Sequence, residues 1–578
     1  MSEADIPTPD LDGIEQGKRL VRARGLGGLS LGERLANQFY RLTWRTPLHK
    51  FRLKGRYPLK LLVAPVDPLP GNPLRGESLA EGRIARWAHS CAVEDSSFGE
   101  ESPSALFRDY VQSFGWLRDL ATLDDPKAAS AIAENLMRQW LARYGENVSE
   151  KAWAPELWGM RILNWALNAR MILSTSDLVY RSSVLNAIAR GARHLDRAAD
   201  RAHLGMPRVV AWSGVVAAGL LMPGGEPRRI VGEAGLERAL ASALLPDGGS
   251  ACRSPQNLLD IIATLSMLEA VYEARKIPFP AFIDDAVERG VPALLAVVLG
   301  DGGLGNWQGS AAISARDVSA VVKASRVRAR PLRQARDWGY QRITAGNSIV
   351  VVDAAPPPVS RVATTGCAST LAIEVSDGAD RLIVNCGGAR AAGLVIPASL
   401  AVGLRTTAAH STLTLADSNS TAVHSDGLLG KGVEQIEVDR QETDQFSKIV
   451  ASHDGYEKRI GLVHRRSLAV SIDGREIRCD DVLLPGNARR KPQQSSFCVR
   501  FHLGAAVEAT PTADGQGALL RIDEGPLWQF KATGGAVTID DSLWVDGDGA
   551  LYNTQQIVVS GEAPPGGASI SWVLRRAG

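Results

Sequence analysis

Paired or patterned cysteines are missing from this chain. Its six cysteines, at 91, 252, 367, 386, 479 and 498, have neither CxxC nor zinc-finger spacing. That argues against a disulfide scaffold or a sequence-coded zinc module and leaves free buried thiols as the simplest reading. An excess of one charge is missing as well. The 65 Lys and Arg against 63 Asp and Glu leave +2, too little to announce a nucleic acid or other polyanionic partner. Long apolar runs are also absent. The longest uncharged stretch, Val209 to Gly225, is interrupted by Gly214, Gly219 and Pro223 and falls short of the ~20 residues of a membrane-spanning helix. The opening MSEADIPTPDLDG is acidic and has no apolar core of the secretory kind, so the sequence as given reads as cytoplasmic.

What is present is a long globular chain. At 578 residues, 45% hydrophobic and 22% charged, it exceeds one ordinary core, and two or more domains are expected. Residues Met1 to Gly28 read as a flexible leader. From Arg41 to Lys60 there are seven Lys and Arg and no acid, interleaved with Tyr40, Trp44, Phe51 and Tyr57. Two readings stand: a surface for an acidic glycan, phosphate or membrane, or a connecting segment whose aromatics dock on the main body. Residues 1–77 are thus a leader and basic docking segment.

From about Ser78 the apolar period is helical. Ser102-Pro103 and Asp125-Pro126 look like cap and first-turn pairs. Further helical patterns cover Glu156 to Leu173, Asp177 to Ala199, Met206 to Leu221, Arg228 to Leu245, Asn257 to Arg275 and Phe282 to Leu299. With a segment near Ala80 to Cys91 this gives about nine or ten helices joined by short Pro/Gly turns, a set of antiparallel hairpins. The pattern changes between Ala311 and Arg336. Beyond it short alternating runs dominate: Ser348 to Val352, Val433 to Asp439, Leu462 to Ile472, Phe497 to Leu503, Ala518 to Ile522, Val537 to Ile539, Tyr552 to Val559 and Ile570 to Leu574. Many short strands with Asp-Gly turns predict an antiparallel sandwich. The expected domains are a helical one at 78–325 and an all-β one at 336–578.

The stretch Leu371 to Leu415 organises the second half. LAIEVSDGADRLIVNCGG gives two strands around Asp377-Gly378, ending on Asn385 and two glycines that let backbone approach a ligand closely. A third strand is expected to enter with Arg405, Thr406, Thr407 and His410. This segment resembles the C-terminal signature of heparinase II/III-type polysaccharide lyases. Supporting matches are RILNW (Arg161 to Trp165), LLPDGG (Leu244 to Gly249) and GDGGL (Gly300 to Leu304), and the resemblance runs from about Pro65 onward. It implies an incomplete α/α toroid followed by the sandwich, and an enzyme that cleaves an acidic, uronate-containing polysaccharide by β-elimination in the cleft between them. Family members are often periplasmic.

Such chemistry needs a neutral amide or cation for the substrate carboxylate, a base at C5 and an acid for the leaving oxygen. His410, Asn164 and Arg405 are the catalytic candidates the resemblance suggests. Arg161, Arg253, Asn306, Trp307 and Asn385 are the substrate-binding ones. Each has a plainer alternative: Arg161 and Asn164 as partners of helix-end carbonyls, Trp165 and Trp307 as core, His410 as a structural histidine. The chain also departs from the family. Where active lyases place a His-x-His or His-x-x-x-Asp cluster it reads Thr365-Gly366-Cys367-Ala368-Ser369, and where metal-binding relatives carry Asp it has Asn385. No metal or other cofactor is expected. The proton-donating Tyr is not identifiable among Tyr144, Tyr180 and Tyr272. A lyase and a non-catalytic glycan-binding or scaffold protein are both open. A hydrolase using paired carboxylates has less support, because no helix presents such a pair.

Overall fold

The computed structural model describes residues 14, 17–22, 43, 44, 46–87, 89–93, 98, 100, 102, 104–149, 152–359, 361–388, 396–425, 428–487, 491–523 and 525–577. Most of the expected leader lies outside them. Within it, however, Gly17–Arg22 is a strand paired antiparallel with Gln435–Glu442, so this part of the N-terminus is an edge of the C-terminal sheet rather than a free leader.

The helical half follows from its caps. Asp125 accepts from the Lys127 amide at the head of Pro126–Tyr144, and Asp177 accepts from Val179 and Tyr180 at the head of Leu178–Ala198; each satisfies N–H groups that a helix start leaves bare. Ser104, not Ser102, caps Ala105–Ser113. Met206–Leu221 is apolar on all sides and buried. It packs on Glu226–Ala243, Pro155–Leu167 and Pro255–Arg275. Against Pro155–Leu167 the approach is glycine-dependent: a Cβ at Gly159 would stand 2.2 Å from the Val210 carbonyl oxygen.

Two segments differ from expectation. Residues near Ala80 to Cys91 are not a helix. A helix ends at Ala80, and Arg83–Arg86 and His89–Ala92 form a two-stranded hairpin. The stretch assigned to a boundary contains one more helix, Ala315–Ser325, capped by Ser314, before the first sandwich strand at Gln334.

The basic segment docks through some of its aromatics and leaves others exposed. Trp44 is buried, its ring 4.7 Å from that of His194, and the Tyr57 hydroxyl meets Ser182. Phe51 and Leu59, at 71% and 90% exposed, point outward. Among the described residues no helix is long and apolar enough to cross a membrane.

The second half holds two nine-stranded antiparallel sheets among the described residues. One runs from the edge strand Gly17–Arg22 to Val507–Pro511. The other begins at Ala536–Val545, continues through Leu551–Ala563, Ser495–Leu503, Asp380–Val384 and Ile373–Asp377, and reaches Gln334–Ala335. Between them Phe501, Phe530 and Trp572 stack within 4.8–6.1 Å. The helical core does not stop at the boundary: Leu332, Trp338, Tyr340, Val351 and Ala372 belong to the same buried cluster as the helices.

Candidate functional site

Ile373–Asp377 is buried along its whole length. A strand whose sequence alternates apolar and polar should expose one face. Here that face is covered by the loop 296–314, delivered by the helix Ala281–Leu295. Gly300 N–H donates to Ser376 Oγ, Arg381 pairs with Asp301 at 2.8 Å, and Asn306 N–H donates to Glu374 Oε1 at 3.0 Å.

Glu374 is the centre of this seam. Its Oε1 also accepts from the Asn385 amide and from Asn385 Nδ2, while Oε2 is shut off with no partner. Burial pushes its pKa up to about 7, against the Arg381 charge and the Asn306 and Asn385 donors. Asn306 Nδ2 reaches the Asn385 carbonyl, and Asn385 Oδ1 takes the Ser411 amide. The glycines after Asn385 do permit a close approach, but to protein backbone: a Cβ at Gly388 would sit 2.1 Å from the Ser310 carbonyl oxygen.

A second knot lies beside the first. Gln308 donates to Asp353 Oδ2 and Ser369 Oγ and accepts from the Cys367 amide. Asp353 Oδ1 pairs with Arg253 at 2.7 Å. The Arg253 guanidinium is spent further on the carbonyls of Trp338, Ala355 and Pro356. Cys367 and Ser369, standing where the family resemblance implies a histidine cluster, are therefore structural neighbours of Asp353. The Cys367 thiol is pushed up to about 11 by burial. Among the described residues no three His, Cys, Asp or Glu side chains come together as a metal's ligands would.

His410, expected on a strand facing a cleft, is 1% exposed and follows a short turn of helix at Thr407–Ala409; the strand starts only at Leu413. Its Nδ1 lies 2.7 Å from the Thr406 carbonyl and so carries the proton, leaving Nε2 without a partner. Burial lowers its pKa to about 4. Arg405 is buried with both its Nε and Nη2 on the Gly366 carbonyl.

Asn164 and Arg161 belong elsewhere. Both lie inside the helical half, on Pro155–Leu167. Arg161 holds the Gln112 and Ala152 carbonyls, and Asn164 Nδ2 holds that of Ser113. Gln112 and Ser113 end a helix whose last carbonyls have no partner of their own. Arg161 sits 4.3 Å over the Trp140 ring. The structure thus gathers Arg253, Asn306, Trp307, Asn385, Arg405 and His410 along one seam, with Trp307 buried against Tyr340, and leaves Arg161 and Asn164 outside it. Tyr144, Tyr180 and Tyr272 are all buried.

Glu374 and Asp353 were not singled out from the sequence. Glu374 reads as the solvent side of an alternating strand, and only the covering loop makes it interior. The Gly-rich GDGGLGNWQG was the available signal, since a loop that rich in glycine can lie flat on a sheet.

Comparison with known proteins agrees with this architecture. Residues 327–573 match the family model of the heparinase II/III-like C-terminal domain. Over that stretch the chain is similar to the heparinase II/III-like C-terminal domain. A curated relative, FtsZ-localized protein C of Caulobacter vibrioides, is 28% identical over 92% of both chains. A crystal structure of heparinase III superposes on the whole chain, and on 88% of its own, with a TM-score of 0.63 at 13% identity. The heparan sulfate lyase HepC of Pedobacter heparinus gives 0.58 at 14% identity, over 94% of this chain and 88% of its own. At these identities the likeness is one of fold: a helical toroid followed by the heparinase II/III-like sandwich.

His410→Ala tests whether the seam binds ligand or holds the fold. The expected result is a loss of about 2–4 kcal/mol of stability, as for other large buried side chains cut to Ala. The pH profile should change with it. With a folded pKa near 4 and an unfolded one of ~6.5, the unfolded chain takes up the proton first. Stability from neutral His410 is present above about pH 6.5 and lost as pH falls toward 4. Thermal melts between pH 4 and 7 should therefore fall less steeply in the variant than in the wild type. Parallel profiles with an unchanged midpoint would contradict the assignment.

Proposed function

We propose that the chain is a non-catalytic heparinase II/III-like protein that works as a binding scaffold, and that it acts with FtsZ, as the name of its Caulobacter relative suggests. The observation that carries the first part is the filled seam. A lyase cleft must leave a base and an acid open to a sugar. Here His410 and Arg405 are buried, and Arg253, Asn306 and Asn385 are consumed by contacts between the helical half and the sandwich. Each makes at least one hydrogen bond or ion pair inside the protein, although His410 Nε2 and Asn306 Oδ1 stay unpartnered.

The second part rests on the relative, which matches over 92% of both chains. Association with FtsZ also favours a cytoplasmic position. The lyase reading draws its support from the fold alone. Two measurements test the proposal together. The purified chain should sediment with polymerised FtsZ, and it should release no unsaturated product from uronate polymers. Failure to sediment would remove the FtsZ part, and product formation would remove the scaffold part.

A further inference from the structure

A cavity of about 190 Å³ lies between the turn after Leu69, the end of the Arg83–Arg86 strand, and the helices Pro255–Arg275 and Ala315–Ser325. Four arginines line it, Arg75, Arg86, Arg118 and Arg316, together with the carboxylates of Asp119, Asp260 and Asp317. Three of the arginines have protein partners. Arg75 lies 3.7 Å from Asp119, Arg118 pairs with Asp67 at 3.1 Å, and Arg316 donates to the Gly71 carbonyl.

Arg86 differs. Its guanidinium lies against both the Trp87 and the Tyr110 ring, at 4.3 and 4.6 Å, where the two rings meet at 65°. Its Nε is closed to solvent and meets no acceptor, and among the described residues no carboxylate lies within ion-pair distance. The Tyr110 hydroxyl is turned away, donating to Asp119. Burial lowers the Arg86 pKa, and the Asp119 and Asp317 charges act against that without reaching ion-pair distance. A half-buried cation without an ion-pair partner is open to an added counterion.

We propose that this cavity is an oxyanion site, in which Arg86 supplies a planar fork for a carboxylate, sulfate or phosphate and Arg75 and Arg316 flank it. Arginine suits this chemistry because two of its N–H groups donate in parallel to two oxygens. Contact with both rings limits the freedom of the guanidinium before the ligand arrives. At this volume the site takes one small acid, such as a single sugar acid or an inorganic oxyanion, and not a polymer. The site lies outside the seam, so it stands whether or not the scaffold reading holds.

Titration calorimetry on the full chain with sodium glucuronate, sulfate and phosphate, and with neutral glucose as the control, tests it. Oxyanions should bind and glucose should not. Tighter binding of glucuronate identifies a sugar acid, and equal or tighter binding of sulfate or phosphate an inorganic one. Arg86→Met keeps the stem in place and should weaken the oxyanion about tenfold to a hundredfold. Without ligand that variant should melt no lower than the wild type, since it removes a charge that has no ion-pair partner. Arg316→Ala, at the more exposed edge, should weaken binding by a smaller factor in a fold otherwise unchanged. The proposal is overturned if no oxyanion binds, if glucose binds as well as glucuronate, or if Arg86→Met binds like the wild type. It is equally overturned if ligand-free Arg86→Met melts well below the wild type, which would make Arg86 a strut against the two rings.

Discussion

Arg253→Ala is expected to destabilise the folded chain by about 3–5 kcal/mol, the range for removing one partner of a buried ion pair. The cost comes from what is left behind. Arg253 begins outside the sandwich, just before the helix Pro255–Arg275, at a backbone φ of +59°. Its guanidinium donates to Trp338, Ala355 and Pro356 carbonyls and to Asp353, and lies 4.8 Å from the Tyr340 ring. Without it, three carbonyls and a carboxylate remain in the interior. Gln308 and Ser369 still donate to Asp353 Oδ2, but neither carries charge. Arg253→Lys should recover only part of the loss, because an ammonium cannot span the fork. Urea denaturation of the three proteins measures the effect. An unchanged midpoint in Arg253→Ala, together with lost glycan binding, would return Arg253 to the role of a substrate contact.

Asp481→Ala should be comparably costly, again about 3–5 kcal/mol. Asp481 is fully buried in the first sheet, where Arg466 grips both its oxygens at 2.7 and 3.0 Å and the Trp572 indole donates to Oδ2. Burial alone pulls its pKa up, but the Arg466 charge and the His464 donor hold it well below the usual carboxylate range. The imidazoles form an ordered relay of donors. Gly455 N–H faces His453 Nδ1, His453 Nε2 faces His464 Nδ1, and His464 Nε2 meets Asp481 Oδ1. Only one neutral tautomer of each ring satisfies all three contacts.

Four adjacent strands are tied by this chain of contacts, and its end reaches the other sheet. Arg466 Nη1 donates to the carbonyls of Leu371 and Ser411, both within the stretch Leu371 to Leu415. Losing Asp481 therefore strands Arg466 and loosens the seam. Asp481→Asn separates charge from volume. If the pairing dominates, it should cost nearly as much as Ala. If it costs under about 1 kcal/mol, typical of a benign substitution, the stability lies in packing rather than in the ion pair.

The fold was legible where pattern and partner coincide. Met206 to Leu221 reads as a helix because its run is bounded by Gly205 and Pro223, and the helix has those bounds. The strands Leu462–Ser471 and Ala568–Arg576 carry clean alternation with one buried face. Legibility failed where tertiary cover overrides local pattern. Thr406 to His410 has strand-like composition but turns as a short helix, because Arg405 and His410 both fold back onto backbone carbonyls. The Arg83–Arg86 hairpin and the helix Ala315–Ser325 are short elements whose signals are swamped by neighbouring charges.

For the candidate site, chemistry-bearing residues were found, but not what faces them. Arg253, Asn306, Asn385, Arg405 and His410 do converge on one place. What the sequence does not carry is that the facing partners are Asp353, Glu374 and main-chain oxygens, so that most of the polar groups are engaged within the protein. Spacing along a chain reports side-chain type, and occupancy is set by the loop 296–314 lying across the sheet.

The central claim is that this heparinase II/III-like fold has its cleft filled and no longer performs elimination. The most direct measurement is the rise in ultraviolet absorbance from a new C4–C5 double bond, followed with the full chain on heparan sulfate, chondroitin and other uronate polymers. The account predicts a trace no steeper than that of the polymer alone. A steady release of unsaturated product that disappears in a folded His410→Ala variant would contradict it.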